Sequence, residues 1–225
     1  MRKFINIILT LTFCIFIFNH YHANDSISFH SSVLLKNHKG LIPLKNLDTL
    51  EIASLNLSSN NLNIFEEACD HYSTVEHFHF NTFSSKRMVR SMIKELKSFN
   101  IIIVNTDTIH EIIANMISTI SNQNKVILNY VGGRKLMYED LINKSCQSIL
   151  FSPNKKSKDL GFSGQIIFGG LSCNNVLKTD LSNNYKAQFG IKSKKIRLSY
   201  VSPIDIKIKK NQLYKIDSIV NAGIK

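Results

Sequence analysis

The stretch Ile101-Ile102-Ile103-Val104, followed by Asn105-Thr106-Asp107, decides how this sequence folds. Four consecutive β-branched residues favour a strand, and they lack the polar alternation of a strand that faces water on one side. Strands buried on both faces are typical of parallel sheets that helices cover on both sides. With 44% apolar and 20% charged residues, the 225-residue chain also has enough apolar material for one packed domain.

Segments of strand and helix character alternate on both sides of that stretch. Further strands are predicted at residues 50–57, 74–80, 125–131 and 148–151, from their apolar content or alternation. Helices are predicted at residues 62–69, 88–99, 109–120 and 136–142, where apolar residues recur with helical spacing. Five strands separated by four helices predict a mostly parallel sheet flanked by helices, which is an α/β sandwich.

The last third of the chain differs from the body in charge and pattern. Residues 155–225 carry 14 basic and 4 acidic side chains, within a net charge of +12 for the whole chain. Segments 196–200 and 204–208 have β-like alternation, and lysines on the outside of edge strands discourage pairing with other chains. Few aromatic side chains stand among these lysines, which argues against nucleic acid as a partner. We therefore expect a short, β-rich and basic C-terminal extension.

Residues 1–23 have the features of a secretory signal peptide. Arg2 and Lys3 precede a mostly apolar run at 4–18, which is shorter than the roughly 20 residues needed to span a bilayer. Ala23 is the predicted cleavage point. An uncleaved signal anchor is the alternative, because Tyr21 stands where a small residue is preferred. The protein is therefore predicted to be exported, periplasmic or extracellular, with membrane contact only through an uncleaved signal segment.

Export would allow disulfides, yet the mature chain contains an odd number of cysteines, Cys69, Cys146 and Cys173, at wide spacing. No Cys-x-x-Cys pair or Cys/His cluster in the sequence has the spacing of metal ligands. We expect three buried free thiols, with a single bridge between two of them as the alternative. The sequence predicts no metal and no cofactor.

Three separated segments resemble the second, α/β domain of family 3 glycoside hydrolases. Residues 32–37, SVLLKN, and 40–44, GLIPL, resemble the LLKN…LPL entry to that domain. Residues 165–169, QIIFG, are similar to its Q-x-I-F-G segment. Residues 197–200, RLSY, with Pro203, resemble its closing R-L-x-Y…P-E piece, with isoleucine in place of the acid. The resemblance covers roughly residues 30–210.

The resemblance assigns residues 24–210 to an α/β sandwich that packs beside a (β/α)8 barrel and helps shape a sugar site. Within the family it points to bacterial β-N-acetylglucosaminidases that carry a downstream β-lactamase-like serine hydrolase domain. Residues 213–220 resemble the first helix of that domain, so residues 211–225 would be its truncated start. In these enzymes the catalytic nucleophile and the acid–base pair lie in the barrel. The resemblance therefore implies no catalytic residue in this chain.

The residue chemistry leads to the same expectation. Retaining glycoside hydrolysis needs two carboxyl groups about 5–5.5 Å apart, whereas the adjacent pairs Glu66-Glu67 and Glu139-Asp140 point in different directions from a helix. His77 and His79 share a strand face, but the sequence suggests no third metal ligand beside them. The segment Ser152-Pro153-Asn154-Lys155 has the S-x-x-K spacing of a serine hydrolase and is predicted to lie in a turn after a strand.

Open parallel sheets place their working residues beyond the carboxyl ends of the strands. Asn105, Thr106 and Asp107 follow the most buried strand and are the predicted substrate-binding residues. Asp107 is interpreted either as a loop hydrogen-bond acceptor or as a contact to a sugar hydroxyl. The segment Gly132-Gly133-Arg134 lacks the spacing of a dinucleotide-binding loop and is predicted to be a glycine-assisted turn into a helix.

The sequence thus predicts a fragment of a hydrolase of the β-N-acetylglucosaminidase kind, which lacks the catalytic nucleophile, has a carbohydrate ligand and has no activity by itself. Two alternatives remain open. The chain could be an exported carbohydrate- or cell-wall-binding module, or it could be one subunit of a split glycosidase whose (β/α)8 barrel lies on a separate chain.

The signal peptide assignment is tested by the N-terminus of the exported protein. Expressed in a bacterium with its own first residues, the protein should begin at Asn24 when its intact mass is measured. Leu9→Arg interrupts the apolar run and should keep the protein inside the cell. Membrane-bound protein with Met1 still present would contradict cleavage and support the anchor.

Overall fold

The computed structural model describes residues 30–58, 62–80, 86–201, 214 and 218–221. Six strands form one sheet in the order β1-β6-β5-β4-β2-β3, with β2 to β6 parallel and β1 antiparallel to β6. The strands are β1 Val33–Asn37, β2 Ile52–Asn56, β3 Val75–His79, β4 Ile101–Thr106, β5 Lys125–Val131 and β6 Ser148–Ser152. The predicted α/β sandwich with a mostly parallel sheet is confirmed.

Five α-helices cover the two faces of this sheet. They are α1 Asn63–Asp70, α2 Lys86–Leu96, α3 Glu111–Ser121, α4 Glu139–Ser145 and α5 Ser157–Phe168. The apolar faces of α2, α3 and α4 form one core with the sheet, and those of α1 and α5 form a second core on the opposite side. Among the described residues, none of the helices has the length and apolar content needed to cross a membrane.

The central strand β4 contributes to both cores. All six of its residues are buried. Ile102 and Val104 belong to the core under α2, α3 and α4, whereas Ile101 and Ile103 belong to the core under α1 and α5. Side chains alternate across a strand, so a run without polar residues is what burial on both faces requires. The interpretation of this stretch is confirmed.

Strand β1 was not predicted. The sequence treats residues 32–37 only as an entry to the domain, yet Val33 pairs with Phe151 and Asn37 pairs with Ser148 in an antiparallel register. Lys36 extends towards α4, where its amine donates to the carbonyl oxygens of Asn143 and Cys146. The entry segment therefore completes one edge of the sheet.

Helix α5 was also not predicted, since the sequence treats residues 165–169 only as a segment of the family resemblance. A side chain at Gly164 would place Cβ 3.2 Å from both Ala68 Cβ and the Phe65 carbonyl oxygen in α1. A side chain at Gly161 would place Cβ 3.0 Å from Ile64. The two glycines lower the intrinsic helix propensity, but they let α5 lie close against α1, and this packing outweighs the propensity.

The prediction of a β-rich extension is wrong for residues 196–200, which form no strand. Residues 171–201 are irregular apart from isolated bridges at Leu34–Ile191 and Cys173–Ser193. The physical reason is that backbone groups in 196–200 bond to the end of α5 instead of to a neighbouring strand. The N–H groups of Ile196 and Arg197 both donate to the Gly169 carbonyl oxygen. Segment 204–208 lies outside the described residues.

Residues 42–44, 165–170 and 197–200 meet at one place, which we call the C-terminal junction. The Arg197 guanidinium donates to the carbonyl oxygens of Leu44, at 2.7 Å, and Phe168, at 2.6 Å. The Gln165 amide forms two bonds with the backbone of Tyr200, donating to its oxygen and accepting from its N–H. The three segments that carry the family resemblance are therefore bonded to one another.

All three described cysteines are free and buried, as predicted. Burial raises the pKa of the Cys146 thiol to about 12 and that of Cys173 to about 11, and it also raises the pKa of Cys69. The thiols therefore stay protonated at neutral pH and act as small apolar side chains.

Replacing the arginine of the C-terminal junction should destabilise the fold. Arg197→Met leaves two carbonyl oxygens without their charged donor and should lower the free energy of unfolding by about 2–3 kcal/mol. Urea unfolding followed by circular dichroism measures this loss. Lys195→Met is the matched control at an exposed neighbouring position, with an expected change below about 0.5 kcal/mol. Equal stability of the two variants would contradict a structural role for Arg197.

Candidate functional site

The carboxyl ends of β4, β5 and β6 bring three loops together at one edge of the sheet. Asp107 follows β4, Gly132 follows β5, and Lys155 follows β6. The Lys155 amine lies 2.8 Å from Asp107 Oδ2, so this ion pair joins the two outer loops across the middle one. The Asp107 side chain is only 9% exposed, whereas that of Lys155 is 44% exposed. We call this arrangement the strand-end site.

The glycine pair after β5 makes room for the strand-end site. Gly132 has φ +70°, and the aliphatic part of Lys155 occupies the position that a Cβ of residue 132 would need. The ring of Tyr130 likewise occupies the Cβ position of Gly133. Helix α4 begins only at Glu139, so no helix starts directly after the glycines. The chain does bend at the glycines, but the prediction that this turn leads into a helix is wrong, because the Leu136 N–H donates to the Leu181 carbonyl oxygen in a distant loop.

The three residues predicted to bind a sugar occupy different environments. Asn105 and Thr106 are fully buried, and the Thr106 hydroxyl donates to the Thr108 carbonyl oxygen at 2.6 Å. Asp107 lies beside the surface. Burial of the Tyr130 hydroxyl raises the pKa of that tyrosine, and the charge of Asp107 raises it further. Of the three, only Asp107 reaches the surface, and sugar binding by these residues stays a prediction.

The Asn105 amide belongs to a chain of buried hydrogen bonds beneath the strand-end site. Its Nδ2 donates to Ser54 Oγ at 2.9 Å, and its Oδ1 accepts from Asn129 Nδ2 at 2.8 Å. The Asn129 amide also donates to Ser163 Oγ in α5. These side chains link β2, β4, β5 and one helix, so the role of Asn105 in this structure is to hold the strands together.

His77 and His79 do share one face of β3, and each contacts a carboxylate of α1. His77 Nε2 lies 3.0 Å from Asp70 Oδ1, and His79 Nε2 lies 3.2 Å from Glu66 Oε1, the latter without hydrogen-bond alignment. Sequence reasoning missed both pairs. The spacing could have indicated them: the carboxylates are four residues apart on a helix and the histidines two residues apart on a strand, and both separations span about 6 Å. In the described part of the chain, no cluster of three or more potential ligands could hold a metal ion.

The other candidate motifs separate in the structure. The Ser152 hydroxyl is buried against Ser32 Oγ, while the Lys155 amine pairs with Asp107. A serine nucleophile activated by that lysine therefore does not form here. The side chain of Glu139 accepts hydrogen bonds from the loop at residues 182–184, and Asp140 is exposed beside it.

The sequence matches no protein-family model and no curated protein. Solved structures do match. A β-glucosidase from Listeria innocua, solved with glucose, superposes with a TM-score of 0.56 at 14% identity, over 67% of this chain and 25% of that one. A fungal multi-domain family 3 β-N-acetylglucosaminidase gives 0.52 at 12% identity, over 76% and 18%. A Paenibacillus family 3 β-N-acetylglucosaminidase gives 0.50 at 7% identity, over 76% and 31%.

The chain has a family 3-like fold. At such low identity the likeness concerns the fold alone, and it supports the resemblance seen in the three sequence segments. This chain spans between 18% and 31% of the length of those three proteins. The match therefore corresponds to one part of much longer proteins.

A substitution at Asn105 tests its structural role. Asn105→Leu removes the amide that pairs with Ser54 and Asn129, and should lower the free energy of unfolding by about 2–4 kcal/mol. Chemical denaturation measures the loss, with Asn115→Leu on the exposed face of α3 as the matched control. If Asn105→Leu is as stable as the control, the buried amides do not organise the sheet.

Proposed function

We propose that this chain is the non-barrel domain of a family 3 glycoside hydrolase of the β-N-acetylglucosaminidase kind. It works outside the cytoplasm, together with a catalytic barrel that supplies the reacting carboxylates. The observation that carries this proposal is the likeness of fold to two β-N-acetylglucosaminidases, which extends over 76% of this chain. The order of the three resembling segments along the sequence supports the same family.

The chemistry of the strand-end site supports a need for a barrel. A retaining glycosidase uses two carboxyl groups about 5–5.5 Å apart, one as nucleophile and one as proton donor. In the described parts of the loops at this edge, Asp107 is the one carboxylate, and it is bound to an ammonium group. One ion-paired carboxylate does not provide both functions.

The strand-end site is suited to hold a sugar beside such a barrel. The Asp107 carboxylate accepts hydrogen bonds, and the partly exposed Lys155 ammonium donates them. The loop between them does not project above Asp107 and Lys155, since neither Gly132 nor Gly133 has a side chain. Hydroxyl groups of a sugar both donate and accept, so a carboxylate next to an ammonium is a matched partner for them.

The proposal is tested with a chromogenic β-N-acetylglucosaminide. We expect no hydrolysis by the purified chain. We expect hydrolysis above that of lysate alone when the chain is added to lysate of its source, because the barrel is then supplied. Hydrolysis by the pure chain would overturn the need for a barrel. No increase with folded chain would overturn the partnership and leave the carbohydrate- or wall-binding module.

Variants at the strand-end site sharpen the same assay. Asp107→Asn removes the charge that holds Lys155 and should lower the added hydrolysis by about tenfold, the usual scale for losing one charged contact. Asp180→Asn is the matched control, since Asp180 also pairs with a lysine, at 3.1 Å, but far along the chain in an exposed loop. Equal activity of the two variants would exclude a role of Asp107 in the reaction.

A further inference from the structure

A concave surface of about 630 Å³ lies along the loop that connects β5 to α4. Residues 135–141 form one wall and residues 182–184 form the other. We call it the Tyr138 concavity. Its volume falls within the range of small-molecule binding sites, about 300–1,000 Å³. The exposed side chains that line it are Lys135, Met137, Tyr138, Asp140, Asn183 and Asn184.

Tyr138 has an unusual backbone for a tyrosine. Its φ of 53° and ψ of 37° are left-handed, a conformation that glycine or asparagine adopts at lower cost. The side chain is also 45% exposed, so the core does not need the ring. A strained, exposed aromatic residue at the rim of a concave surface is typical of a functional position.

Hydrogen bonds hold both walls of the Tyr138 concavity in place. Glu139 Oε1 accepts from Ser182 Oγ at 2.7 Å and from the Asn184 N–H at 3.3 Å. The Leu136 N–H donates to the Leu181 carbonyl oxygen at 3.0 Å. The ring of Tyr138 therefore stands on a loop that is already fixed before any ligand arrives, which lowers the entropic cost of binding.

The exposed groups match the chemistry of a sugar chain. A pyranose ring has an apolar face of C–H groups, which packs on an aromatic ring, and a rim of hydroxyl groups. Tyr138 and the adjoining Met137, itself 47% exposed, provide the apolar surface. The amides of Asn183 and Asn184 donate and accept, and the Asp140 carboxylate accepts. We propose that the Tyr138 concavity binds an oligosaccharide, with the ring of Tyr138 as its stacking surface.

This inference goes beyond the proposed function, since it needs neither a barrel nor the Asp107–Lys155 pair. The experiment is titration calorimetry of the exported chain with chitotriose and, separately, with cellotriose. Tyr138→Asn removes the ring while keeping a residue that tolerates the left-handed backbone, so the variant should fold at least as well. Tyr138→Phe keeps the stacking surface. Tyr214→Asn, which removes an exposed tyrosine elsewhere, is the matched control.

We expect at least one of the two sugars to bind the unaltered chain, Tyr138→Phe and Tyr214→Asn with similar dissociation constants. Tyr138→Asn should bind at least about tenfold more weakly, as for the loss of one aromatic contact. The inference is overturned if neither sugar binds at millimolar concentration, or if Tyr138→Asn binds as tightly as the unaltered chain. Neither result depends on added lysate, so failure here is distinct from failure of the proposed function.

Discussion

A buried hydrogen bond between the side chains of Asn105 and Asn129 sets the register at the centre of the sheet. Both amides are fully buried, and a buried amide without a partner is costly. A slip of one residue between β4 and β5 would turn one amide to the opposite face and separate the pair. Because the register pairs Thr106 with Tyr130, the two strands end within one residue of each other, and the loops that hold Asp107 and Gly132 begin at the same edge of the sheet.

The same amides tie the sheet to the helix that covers it. Ser163 of α5 accepts from Asn129, and this contact requires α5 to lie close to the sheet. Gly164, the next residue, leaves space for Ala68 of α1. Adjacent residues of α5 therefore fix the helix to the sheet on one side and let it pack closely on α1 on the other.

Much of this fold follows from apolar spacing, because burial is what spacing encodes. The five parallel strands lie where unbroken apolar runs or alternation predict them, and four helices lie near the predicted positions, with α4 beginning three residues later than predicted. Strand β1 and helix α5 depend on tertiary contacts instead. The first pairs with a strand more than 110 residues away, and the second tolerates two glycines because α1 packs against it. Asn56, Asn105 and Asn129 lie side by side on three neighbouring strands. Their alignment indicates polar contacts across the sheet, but it can be recognised only once the register is known.

The candidate site shows the same division. Asp107 was predictable because carboxyl ends of parallel strands share one edge. Its partner Lys155 was not predictable, because the sequence does not show that the loop after β6 passes over Gly132 to reach Asp107. The histidine–carboxylate pairs of β3 and α1 needed the antiparallel packing of that helix on that strand before their matching spacings had meaning.

The C-terminal junction has a consequence for how proteins of this shape are recognised. Its bonds run between Arg197, Gln165 and main-chain groups of segments far apart in sequence, so they close the domain on itself. Selection for a closed domain alone would preserve these residues. A chain without any reacting group would keep the same three segments. The segments therefore identify an intact domain fold, and they do not identify a reaction.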